Sequence, residues 1–149
     1  MNRNKTVLSV LFATLLVAGG MQYQAASFAA VAEPSKAPVA AADPALIEAG
    51  TQTFITNCAE CHSIGKDGAD AVGPNLWGVI GRKAGSKADF AYSDALKASP
   101  VVWDAQTLDK WLESPANFIP DNMMPFIGIK DAGERAALIA FIMQRSSQE

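Results

Sequence analysis

The two cysteines and the single histidine of this 149-residue chain fall within one pentapeptide, Cys58-Ala59-Glu60-Cys61-His62. It matches C-x-x-C-H, the pattern by which a haem is attached covalently. Two thiols on one local turn can bond to the two vinyl groups of one porphyrin, and the adjacent imidazole can reach the iron. The motif therefore predicts one haem c, bound through Cys58 and Cys61, with His62 as an iron ligand.

Three other interpretations of the pentapeptide explain less. A structural zinc site takes four ligands, whereas the chain has two Cys and one His. A thioredoxin-like C-x-x-C belongs to a βαβ unit, and no strand-like alternation of useful length is present. A plain disulfide would leave the adjacent histidine unexplained. Haem attachment is therefore the preferred interpretation.

The first 32 residues have the layout of a secretory signal peptide. Arg3 and Lys5 precede an apolar run over residues 7–21, and residues 30–32 form an A-x-A cleavage site. The run is shorter than the roughly 20 residues that span a bilayer. Residues 22–31 carry no charge, however, so an uncleaved membrane anchor is the alternative. Export predicts a periplasmic protein that contacts the membrane only if this segment is retained.

The composition changes after the leader. Residues 33–42 are rich in Pro and Ala and are predicted to form a linker, and residues 43–149 form the folded domain. The whole chain has 12 basic and 15 acidic residues, and every acidic residue lies at or after Glu33. No nucleic-acid partner is expected, because nucleic-acid binding needs a basic surface.

Capping residues and apolar spacing predict an all-α domain with long loops. Asp43 caps a first helix that Pro44 begins and that ends near Cys58. Three further helices are predicted: a short one from Ser86 or Asp89 to Ala98, one capped by Asp104, and a last one started by Asp131 and Glu134. Residues 114–130 include three prolines and are predicted to be an ordered loop. Because so loop-rich a domain makes a poor core by itself, the haem is expected to fill its centre.

The iron then needs a sixth ligand or keeps an open site. The chain has no second histidine, so the candidate ligands are the methionines that follow the motif: Met123, Met124 and Met143. Met143 falls on the last predicted helix, where a methionine usually packs in the core. Met123 and Met124 lie in the proline-bounded loop, which can approach the iron from the side opposite His62. Spacing alone does not choose between these two.

Motifs over about residues 43–145 resemble class I cytochromes c, especially the mitochondrial branch and its bacterial periplasmic relatives. The residues that carry the resemblance are Cys58-Ala-Glu-Cys-His62, Val72-Gly-Pro-Asn-Leu76, Gly81-Arg-Lys83, Phe90-Ala-Tyr92, Trp103, Ile119-Pro120 and Phe126-Ile-Gly-Ile-Lys130. The resemblance implies the cytochrome c fold, in which four to five helices and long loops surround one covalent haem.

The resemblance also implies individual roles. Met124 is implied as the sixth ligand, with Met123 a neighbour, and the carbonyl of Pro74 is implied to accept the ring N–H of His62. Near the haem propionates the resemblance places Arg82, Tyr92 and Trp103. Gly50 and Phe54 match positions that pack against Leu138 and Phe141 on the last helix.

The chain departs from the mitochondrial branch in two respects. Trp111 replaces a tyrosine and Leu96 an asparagine near the haem, and Pro125 stiffens the loop after Met124. The positions that match the lysines around the mitochondrial haem edge are mostly neutral: Gln52, Asn57, Ala71, Ala116, Asn117 and Met123. An apolar docking patch of Met123, Phe126 and Ile127 is therefore predicted.

The predicted function is that of a single-haem electron carrier, not an enzyme. Two bound ligands would leave the iron no open position for a substrate, and redox proteins such as an oxidase, a reductase or a dehydrogenase are the expected partners. A monomer is expected. The alternatives are a dedicated cytochrome subunit of a larger dehydrogenase or oxidase, and a haem enzyme or sensor whose sixth ligand is displaceable.

Overall fold

Five helices joined by long loops make up residues 43–146, the part of the chain that the computed structural model describes. The helices are α1 (Pro44–Asn57), α2 (Asp94–Ala98), α3 (Ala105–Glu113), α4 (Pro115–Phe118) and α5 (Ala132–Ser146). One isolated antiparallel bridge pairs Lys83 with Val102. The predicted all-α fold is confirmed, while the predicted signal peptide and linker lie outside the described residues.

Side-chain caps begin the three longer helices where the sequence predicts. The Asp43 carboxylate accepts the N–H of Ala45 (3.0 Å), and Pro44 is the first helical residue. Asp104 and Thr107 form a reciprocal capping box at α3. The Asp131 carboxylate accepts the N–H of Glu134 (2.8 Å) at the start of α5.

Two segments differ from the sequence prediction. The second helix begins at Asp94 and not at Ser86 or Asp89, because Asp89 adopts a left-handed φ of 65° and Ser93 supplies the cap to the N–H of Leu96 (3.2 Å). The predicted loop over 114–130 opens with the single turn α4, whose proline occupies the first helical position.

The crossing of α1 and α5 forms the main helix–helix contact. A Cβ added to Gly50 would lie 2.1 Å from the carbonyl oxygen of Ala137, so only a glycine lets the helices approach this closely. The rings of Phe54 and Phe141 pack 5.3 Å apart beside the crossing, and Leu138 is fully buried. α3 packs on α5 as well. This framework holds the end of α1, which leads into Cys58, against the rest of the domain.

Between residues 43 and 146, no helix combines the length and the apolar character that crossing a bilayer requires.

Candidate haem site

A cavity of about 320 Å³ opens between the end of α1, the loops over 72–92, α3 and the loop over 119–131. This last loop carries Met123 and Met124 and is called the methionine loop. This volume lies within the roughly 300–1,000 Å³ of small-molecule sites. Most of the lining side chains are apolar. All eight residues predicted to bind the cofactor line this one cavity: Cys58, Cys61, His62, Pro74, Arg82, Tyr92, Trp103 and Met124.

The turn that follows α1 brings the cysteines and the histidine to the same wall. Cys61 and His62 donate their backbone N–H groups to the carbonyl of Cys58, at 3.0 and 2.8 Å. The two thiols do not form a disulfide with each other. Burial and, to a smaller extent, the nearby Cys61 raise the pKa of the Cys58 thiol to about 11, so this thiol stays protonated at neutral pH. Because both cysteines line the same cavity, both sulfurs are placed for attachment to one flat group held there.

The imidazole of His62 is fixed by the loop that follows the pentapeptide. Its Nδ1 lies 2.8 Å from the carbonyl oxygen of Pro74. Because a carbonyl can only accept, Nδ1 carries the proton and Nε2 keeps a free lone pair, which is the form that binds a metal. A Cβ on Gly73 would lie 2.2 Å from His62 Cε1. Any side chain at position 73 would therefore displace the imidazole.

The methionine loop contributes a further part of the lining. Met124 is half-buried and packs against the hydrophobic core, whereas Met123 is 69% exposed. The side chain of Asn122 accepts the N–H of Met124 (3.0 Å), and the carbonyl of Met124 accepts the N–H of Phe126 (2.9 Å). This contrast in burial favours Met124 as the iron ligand, a choice that spacing alone left open.

A third group of lining residues offers hydrogen-bond donors. Arg82 donates to the carbonyls of Trp77 (3.2 Å) and Asn75 (3.3 Å), and among residues 43–146 it has no ion-pair partner. The buried Trp103 also lines the cavity, and its indole N–H can only donate. Burial raises the pKa of the Tyr92 hydroxyl, which therefore remains a donor. An anionic group held in the cavity would satisfy this cation and these donors, as carboxylates of a porphyrin do.

Asn75 supports this side of the cavity. Sequence analysis named it only as part of the motif Val72–Leu76 and gave it no role. It is 5% exposed, and its side-chain amide donates to the carbonyls of Gly65 (2.8 Å) and Gly68 while accepting the N–H of Trp77 (2.7 Å). Its own N–H donates to Asp70, which also pairs with Lys87 (2.7 Å). That N–H and then the Lys87 ammonium lower the pKa of Asp70. The signal in the sequence was the position of Asn75 directly after Gly73-Pro74.

Trp111 and Leu96, two of the departures from the mitochondrial branch named above, also line the cavity. Trp111 is buried, its ring lies 5.5 Å from that of Trp103, and Leu96 is half-buried. Val72, which is 72% exposed, is a further lining residue, and sequence analysis named it in the motif Val72–Leu76 without giving it a role. Its residue type alone gives no signal that separates it from an ordinary surface residue.

The domain is all-α, and two thiols, one imidazole and one thioether surround its apolar cavity. These features define the class of proteins that bind a covalent haem between two axial ligands. The family model for cytochrome c matches residues 47–146. Cytochrome c of Theileria annulata is 46% identical over 99 residues, which cover 66% of this chain and 85% of the relative. Cytochrome c of Ginkgo biloba is 40% identical over 108 residues (72% and 96%), and cytochrome c2 of Rhodomicrobium vannielii is 42% identical over 114 residues (76% and 88%).

The chain belongs to the cytochrome c family. This confirms the resemblance to class I c-type cytochromes, the cytochrome c fold and the covalently bound haem c. As a member of this family it is an electron-transfer protein and not an enzyme. The ligand and propionate roles of the individual residues stay predictions, which the geometry above supports.

Proposed function

We propose that this protein carries one electron at a time between redox partners in the periplasm, with iron held by His62 and Met124. The observation that supports this most directly is the placement of these two side chains on the walls of one apolar cavity. A haem iron bound there supplies the one-electron step by alternating between the ferrous and ferric states. The chain's own contribution is to hold both ligands in place in either state.

Each proposed ligand is held by a hydrogen bond within the chain itself. The Pro74 carbonyl orients His62 through its Nδ1, and Asn122 fixes the backbone at Met124. A soft neutral thioether favours ferrous iron and raises the reduction potential. The largely apolar lining excludes water, which disfavours the charged ferric state and acts in the same direction.

The proposed location depends on the N-terminal residues, which lie outside the described part of the chain. A charged start, an apolar run and an A-x-A site before Glu33 are typical of an exported bacterial protein. Export also suits the two thiols, because covalent attachment keeps the haem from being lost outside the cell. Similarity to a cytochrome c2 from a bacterium is consistent with this proposal.

We infer that the partner contacts a rim patch made of Val72, Met123, Phe126 and Ile127. Three of these side chains line the cavity, and Ile127, which follows Phe126, is 85% exposed. Lys130 donates its ammonium to the carbonyl of Glu113 (2.7 Å), which holds this cation against the end of α3. A charged partner group placed on so neutral a patch would lose hydration without gaining a counter-charge. The matching surface of the partner is therefore apolar and uncharged.

Two measurements on the purified holoprotein test the carrier function. Reductive titration should take up one electron per chain, and the reduced form should not bind carbon monoxide because Met124 occupies the sixth position. Both are followed in the visible spectrum. Ready binding of carbon monoxide would instead support a haem enzyme or sensor with a displaceable ligand.

The rim patch predicts a weak salt dependence of the electron-transfer rate. The measurement is the rate at which membranes from the source organism oxidise the reduced protein as NaCl is added. This rate should change less than about twofold, because docking through apolar contact needs no electrostatic steering. The variant Ile127→Lys provides the matched control and should lower the rate at every salt concentration, because its ammonium would lose hydration against an uncharged partner surface. A steep fall in the wild-type rate with added salt would contradict the inferred patch.

A further inference from the structure

Arg135 is a buried arginine whose bonds join three parts of the chain. It lies in the first turn of α5, and its side chain is 8% exposed. Its Nε donates to the carboxylate of Asp109 on α3 (2.7 Å), and its Nη1 donates to the carbonyls of Ile129 and Lys130, both at 3.0 Å. Ile129 and Lys130 lie at the C-terminal end of the methionine loop.

The same end of the loop is bonded to α3 directly. Ile129 donates its N–H to the carbonyl of Leu112 (2.8 Å), and the Lys130 ammonium donates to that of Glu113. These carbonyls belong to the last turn of α3, where a helix leaves its acceptors without internal partners. A Cβ on Gly128 would lie 2.2 Å from the Glu113 oxygen, so the loop passes against α3 at close range.

We propose that Asp109 and Arg135 are positioning residues for Met124: together they hold the C-terminal end of its loop closed on α3. The inference rests on the proposed role of Met124 as the iron ligand. The other end of the loop has its own anchor, since Asn122 donates to the carbonyls of Pro115 (3.0 Å) and Ile119 (2.8 Å). With both ends fixed, the thioether returns to one place whenever its bond to iron breaks.

The guanidinium suits this task because its donors are fixed in one plane. Nε donates to Asp109 while Nη1 donates to two successive carbonyls. A lysine cannot reproduce this arrangement, because its ammonium is a single point charge at the end of a flexible side chain. Asp109 is 45% exposed, so its carboxylate can be replaced without leaving a buried cavity. Removing its charge takes away the carboxylate in direct contact with Arg135 and leaves only the more distant charges of Glu113 and Asp131.

The test compares Asp109→Asn with Asp94→Asn in the oxidised holoprotein. Both changes remove one ion pair, but Asp94 pairs with Lys97 (3.2 Å), and both of these residues lie in α2. The first readout is the rate of imidazole binding at saturating imidazole, where the rate is limited by release of Met124. The second is amide hydrogen exchange at Ile129, with Leu108 as the reference amide within α3.

Asp109→Asn should raise both the imidazole rate and the exchange at Ile129 about tenfold, since the ion pair is replaced by a weaker hydrogen bond to a neutral amide, while exchange at Leu108 is unchanged. Asp94→Asn should alter neither. The proposal is wrong if Asp109→Asn leaves Ile129 exchange unchanged, or if the two variants raise the imidazole rate equally. If Met124 is not the ligand, the wild-type imidazole rate will rise without saturation, whereas the exchange at Ile129 still reports the anchor.

Discussion

Replacing Met124 with alanine should open the sixth position of the iron and lower the reduction potential by on the order of 100 mV or more, because a soft axial ligand that favours ferrous iron is lost. The reduced variant should then bind carbon monoxide at once. The fold should persist, since Met124 is half-buried and its neighbours Asn122 and Phe126 are kept. Potentiometric titration followed in the visible spectrum measures both effects.

The adjacent Met123 is a matched control for this experiment. It has the same side chain one residue away, but it is 69% exposed and belongs to the rim patch. Met123→Ala should leave the potential and the resistance to carbon monoxide unchanged. If Met123→Ala opens the iron and Met124→Ala does not, the assignment of the sixth ligand is reversed.

Replacing Gly50 with alanine should cost at least about 3 kcal/mol of unfolding free energy, the upper part of the range for overpacked contacts. The new Cβ would meet the backbone carbonyl of Ala137 at 2.1 Å and the Cβ of Phe141 at 2.8 Å. A backbone atom cannot rotate away, so α1 and α5 must separate and weaken the packing of Phe54 on Phe141. The helix propensity gained from alanine, about 1 kcal/mol, does not offset this.

Gly65→Ala is the control for this substitution. A Cβ at position 65 would have no atom within 4 Å, and φ there is not positive. Its free energy of unfolding should change by less than about 1 kcal/mol. Thermal unfolding of the holoprotein measures both variants, and a Gly50→Ala protein as stable as wild type would show that the helices are not in close contact.

Local signals made most of the fold predictable. Asp43, Asp104 and Asp131 each start a helix because a short carboxylate accepts nearby N–H groups, an interaction that depends only on neighbouring residues. The pentapeptide was equally informative, because covalent attachment needs two thiols and an imidazole within one turn. Such features can be identified without knowing what the chain packs against.

Features that depend on distant contacts could not be predicted in this way. The start of α2 shifts to Asp94 because Asp89 turns left-handed, and its sequence does not specify that turn. The bond between Arg135 and Asp109 joins residues 26 positions apart on different helices. In the sequence Arg135 is one more cation in an amphipathic helix. The burial of Met124 relative to Met123 likewise appears only once the loop is packed.

The central claim is that one haem is joined to this chain through both thiols of the pentapeptide. The intact mass of the native protein, measured after denaturation in acid, tests it most directly. A mass equal to that of the mature polypeptide plus one haem is expected. When Cys58 and Cys61 are both changed to serine, the denatured chain should have the mass of the polypeptide alone. A denatured wild-type chain with nothing added to its cysteines would contradict the account.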